Sequence, residues 1–139
     1  MKRARMICIL EPVFHVPVVM IWNATDAQFC ATLKKNLDIE VEEMLTGAGV
    51  FFAHEREQGT LAIIGISDKF EGTPYNYAIL SHEVIHASLH MLKDRGLPYS
   101  TKTEEALCYL SSFLVSTLAE EMLKVETKLE RRRKARANG

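Results

Sequence analysis

The chain is predicted to fold as an α+β domain, with a small mixed sheet of about four strands, three main helices, and one helix packed on the sheet. Three observations lead to this class. Two β-branched apolar runs open the sequence, and two more lie between residues 50 and 66. Three longer segments carry apolar residues at helical spacing behind cap signals. At 139 residues, the chain has the length of one domain with one core.

Residues 6–10 and 17–22 read as two largely buried strands, bounded by Pro12 and Asn23. Thr25-Asp26-Ala27-Gln28 has the form of a capping box and precedes Phe29, Leu33, Leu37 and Val41, so the first helix is expected there. Gly47 and Gly49 break that pattern. Residues 50–54 and 60–66 then read as a hairpin around a polar connection. Thr73-Pro74 supplies a helix cap with proline at the first helical position, and Lys93 and Gly96 supply the stop, so a second helix is expected over about residues 74–95. Thr101-Lys102-Thr103-Glu104 is a further capping-box pattern, followed by the stripe Ala106, Leu110, Phe113, Leu114, Val115 and Leu118. The third helix is expected to reach the early 130s.

An apolar share of 47% and a charged share of 25% are those of an ordinary globular domain. The net charge is -1. Arg131, Arg132, Arg133, Lys134 and Arg136 concentrate five positive charges at the end, so the body is mildly acidic. The expected organisation is a single domain over residues 1–130 and a basic, flexible tail over 131–139. No apolar run approaches the roughly 18 residues of a membrane helix, and residues 6–10 are too short for a signal peptide. A cytoplasmic protein with no membrane partner is expected. The basic run lacks interleaved aromatics and reads as a solvated helix end, so nucleic acid is not an expected partner. Cys8, Cys30 and Cys108 are odd in number and widely spaced, which predicts buried free thiols and no disulfide framework.

The second helix contains His82-Glu83-Val84-Ile85-His86. A spacing of four puts both imidazoles on one face, one turn apart, where they can bind one ion. Glu83 projects to the side and is placed to act as general base on a water held by the metal. With five histidines and 18 acidic residues in the chain, chance would produce such a pattern about 0.02 times. A catalytic zinc takes three protein ligands and leaves one position open. Eighteen residues separate His86 from Glu105, enough to turn and bring back an antiparallel helix whose first turn presents Glu105. Glu104 is the alternative donor, with a competing capping role behind Thr101.

In these residues the chain resembles the gluzincin group of zinc metallopeptidases, whose pattern is His-Glu-x-x-His followed after a short span by a glutamate ligand. The match covers about residues 78–118 and looks closest to the very small gluzincin-like proteins of bacteria and their phages. The resemblance implies a zincin-like fold, Zn2+ held by His82, His86 and Glu105, and hydrolysis of a peptide or protein substrate with Glu83 as base. It also implies an edge strand that pairs with an extended substrate, a role that falls to Leu61, Ala62, Ile63, Ile64, Gly65 and Ile66. Four positions after the glutamate ligand the family often has an acidic residue. Here it is Tyr109, whose phenol would serve as an outer partner of a ligand or as an oxyanion donor.

His90 continues the spacing of four, but it lies about 11 Å from His82 on a straight helix, too far for both to bind one ion. His15 and His54 have no motif around them. The rival expectation is a non-catalytic, zinc-stabilised binding protein of phage or bacterial origin that keeps the fold without turnover.

Overall fold

The computed structural model describes residues 2–42 and 47–139. The elements run β1 (Arg5–Glu11), β2 (Val16–Trp22), α1 (Asp26–Leu37), β3 (Gly49–Arg56), β4 (Gly59–Ile66), α2 (Pro74–Asp94) and α3 (Glu104–Ala137). One sheet has the order β1-β2-β4-β3. β1 and β2 are antiparallel, β2 and β4 parallel, and β4 and β3 antiparallel. This is the expected α+β class with a mixed sheet.

The side-chain period of two in the central strands divides the core between two layers. Val18, Met20 and Trp22 of β2 with Ala62, Ile64 and Ile66 of β4 face α2 and α3, whose Leu80, Val84, Ala87, Leu110, Leu114, Leu118 and Met122 complete that cluster. Val19, Ile21, Leu61 and Ile63 face the other way and meet Phe29 and Leu33 of α1. Burial on both faces is why β2 and β4 are continuous apolar runs without alternation. β1, read as largely buried, is an edge strand and is mostly half-exposed.

The assignment of Leu61, Ala62, Ile63, Ile64, Gly65 and Ile66 as an edge strand is corrected by the pairing. Residues 62–66 bond to β2 on one side and to β3 on the other, so their backbone groups are already used. The edge on the α2 side of the sheet is β3.

The caps of α1 and α2 form as the sequence predicts. Thr25 and Gln28 close one capping box, Thr73 and Asn76 another, and Pro74 opens α2. α1 stops at Asp38, which takes φ 54° and bonds back to the carbonyls of Leu33 and Lys34, so Val41 falls outside the helix. At α3 the capping box does not form. Thr103 is the cap without a side-chain cap bond, because its hydroxyl donates to the Pro98 carbonyl at 2.8 Å and accepts from the Ser100 amide at 2.9 Å. Residues 131–137, expected as a flexible tail, continue α3. Arginine, lysine and alanine are good helix formers, and Lys134 pairs with Glu130 one turn away. Cys8 and Cys108 are exposed and Cys30 is half-buried, which corrects the expectation of buried thiols.

α3 runs antiparallel to α2, with Leu123 against Gly72 just before α2 begins. By length and composition α3 is apolar enough to cross a membrane, yet its Leu110, Leu114, Leu118 and Met122 stripe is buried against the sheet and α2. Glu126, buried further along, accepts from the Trp22 indole at 2.9 Å and pairs with Arg5, fastening α3 to the β1–β2 end of the sheet. On the opposite face, a Cβ placed on Gly65 would fall 2.5 Å from a ring carbon of Phe29. Glycine is therefore required there by space, and α1 sits on bare backbone. Alanine in a strand ordinarily stabilises relative to glycine. Gly65→Ala is expected to lower stability in urea unfolding by about 1–3 kcal/mol through overpacking, and an unchanged or raised stability would contradict this close approach.

Candidate metal centre

α2 is amphipathic in the plain sense: Leu80, Val84, Ala87 and Met91 recur at steps of three and four and are buried, while His82, Ile85 and His86 are exposed. The helix lies along β3. Near its middle Glu83 meets Gly49, and further on His90 meets Phe51, with ring centroids 5.8 Å apart.

The two imidazoles converge. His82 Nε2 and His86 Nε2 are 3.2 Å apart, with ring centroids at 4.9 Å and planes at 73°. Two nitrogens each about 2.05 Å from one tetrahedral zinc stand about 3.3 Å apart. The pair thus fits two positions of a single tetrahedral ion, and its exposure leaves the remaining positions accessible.

Glu83 is turned the other way, towards the sheet, and only 8% exposed. It has room because residue 49 has no side chain. A Cβ there would lie 2.9 Å from Glu83 Oε1, 3.0 Å from its Cγ and 3.1 Å from Ile79 Cγ2. Burial pushes the Glu83 carboxyl above the usual carboxylate range, an effect countered by charge on His82 and His86. A shallow cleft lined by Ala48, Gly49, Ala78, Ile79, His82 and Glu83 opens at this point. The arrangement can hold a cation on two nitrogens and take up a proton beside it.

Glu105 stands in the first turn of α3, as expected, but its side chain is exposed and is not gathered with the histidines. Among the described residues it does not form a group of three donors with the pair. Glu104 is exposed and shares the same turn. Tyr109 is 74% exposed.

Among the described residues, the group of three donors lying within 4.8 Å of one another is a different one, Glu55, His90 and Asp94. His90 is thus separate from the pair, as helix geometry requires. Gly49 was readable in the sequence only as a helix breaker, and Glu55 carried no local signal at all. Asp94 stands four residues after His90, a spacing that does place two side chains on one face.

Replacing either His82 or His86 by alanine should weaken zinc binding at least about 100-fold, since even outer-shell changes at such sites cost 10–100-fold. Competition titration against a chelating dye measures this, and zinc affinity unchanged in either variant would contradict the paired site. Compared with known proteins, the chain matches no family model, no curated protein and no solved structure.

Proposed function

We propose that the chain is a zinc-dependent peptidase of zincin-like type, in which His82 and His86 hold the ion and Glu83 is the general base. The observation that carries this reading is the 3.2 Å approach of the two Nε2 atoms beside a buried carboxylate. When bound, zinc supplies a Lewis acid that polarises a carbonyl and lowers the pKa of water. Glu83 accepts the proton of the attacking water and returns it to the leaving amine, and a carboxyl raised by burial is better matched to both transfers at neutral pH. An extended peptide would pair with β3, whose outer edge is unpaired among the described residues and which carries Gly49 beside Glu83.

Glu105 remains the proposed third ligand. It stands in the first turn of α3, the helix packed beside α2. Tyr109 would donate to a developing oxyanion.

A second reading is favoured by one observation, that among the described residues no third donor is gathered with the pair. In it the chain binds zinc through two histidines without turnover and acts as a zinc-stabilised binding protein. Wild type and Glu83→Gln, incubated with a mixed peptide library, separate the two. A peptidase loses at least about 100-fold in cleavage rate in Glu83→Gln while keeping its zinc. Equal products from both proteins, or none from wild type, would favour the non-catalytic reading. Gly49→Ala should likewise keep zinc and lose about 10-fold or more in kcat, because its methyl displaces the Glu83 carboxylate by a fraction of an ångström or more. Full activity in Gly49→Ala would show that Glu83 does not work from this position.

A further inference from the structure

At the other end of α2, His90 and Asp94 stand one turn apart and face Glu55 of β3. Donor atoms of all three lie within 4.8 Å of one another. Three features make this more than a chance meeting of surface charges. His90 Nε2 is shielded from solvent and has no hydrogen-bond partner among the described residues. It approaches Asp94 Oδ2 to 3.1 Å, but not in hydrogen-bonding geometry. A buried nitrogen left in this state costs free energy unless something fills its lone pair. Secondly, two carboxylates share the spot without a lysine or arginine ion pair among the described residues. Arg95, which lines the same cavity, is engaged elsewhere, donating to the Phe14 carbonyl at 2.9 Å with its guanidinium 5.7 Å from the Phe14 ring centroid. Thirdly, the donors are held in place. The Thr60 hydroxyl stands 2.9 and 3.0 Å from the two Glu55 oxygens, and Phe51 packs against the His90 ring. Orientation of ligands by such outer contacts is a property of metal sites.

We infer that Glu55, His90 and Asp94 form a second cation site, separate from the His82–His86 pair, that takes a divalent first-row transition ion. One imidazole nitrogen with two carboxylate oxygens suits Mn2+ or Zn2+ better than Ca2+ or Mg2+, which prefer oxygen alone. The three residues line a cavity of about 570 Å³ that also reaches His15, Arg56 and Gln58, so the ion has an entry path and room for water ligands. Bound there, the ion ties the edge strand β3 to the last turns of α2. That is the same strand whose first residue, Gly49, abuts Glu83.

The test is titration of the full chain with Mn2+, following free ion by electron paramagnetic resonance. The double variant His82→Ala/His86→Ala should still bind one Mn2+ per chain. Adding Glu55→Gln and Asp94→Asn should weaken that binding at least about 10-fold, with circular dichroism reporting that the fold persists. In the wild-type protein, substoichiometric Mn2+ should broaden the His90 ring protons before those of the other histidines, a readout that needs no variant. The site is overturned by loss of Mn2+ binding in the first double variant, by binding indifferent to Glu55 and Asp94, or by His90 signals that stay sharp while His82 or His86 broadens. Because Mn2+ binding at His90 does not depend on the histidine pair, failure of the peptidase reading leaves this result standing.

Discussion

The packing of α2 along β3 fixes the candidate centre. One helix face, Leu80, Val84, Ala87 and Met91, is buried against the sheet. That burial sets the rotation of the helix, which in turn aims His82 and His86 at solvent and tucks Glu83 underneath. The close approach at Gly49 makes this possible, because any side chain there would occupy the space of the Glu83 carboxylate. The two imidazoles and the carboxylate are thus placed by a single packing constraint, and moving the helix would displace all three together. Rigid elements with side chains locked by packing are what a working site needs.

The same strand that leaves space at one end supplies a donor at the other. β3 contributes Gly49 beside Glu83 and Glu55 beside His90 and Asp94. α2 presents a histidine at each of three successive turns, His82, His86 and His90. The first two face outward and can share an ion, while the third turns towards the sheet and meets the hairpin. Glu83 and Asp94 come from α2 itself, and Glu55 comes from β3.

Much of the fold was legible because it rests on local rules. The box read at Thr25 and the cap read at Thr73 formed, and at Thr73 the structure adds Asn76, whose side chain returns the bond. Thr101 failed because Thr103 engages the Pro98–Ser100 turn, a contact no local pattern encodes. The strands were legible from their apolar runs, whereas their order was not. Leu61 to Ile66 are as apolar as they are because β2 and β3 flank them and both faces are covered, and the same run had suggested an edge only through resemblance. At the centre, the spacing of four between His82 and His86 is an intrahelical property and carried over directly. The position of Glu105 depends on how α3 registers against α2, which residues 95–103 and the core stripe set jointly. That register is tertiary, and no spacing in the sequence encodes it.

The central claim is that one ion sits on both His82 and His86 with positions left open. X-ray absorption spectroscopy on protein loaded with one equivalent of zinc tests it directly. The expected first shell has two imidazole nitrogens and the remaining ligands oxygen, all at about 2.0–2.1 Å, and no two-imidazole shell forms in His82→Ala/His86→Ala. A first shell with one imidazole or none would place the ion elsewhere and contradict it.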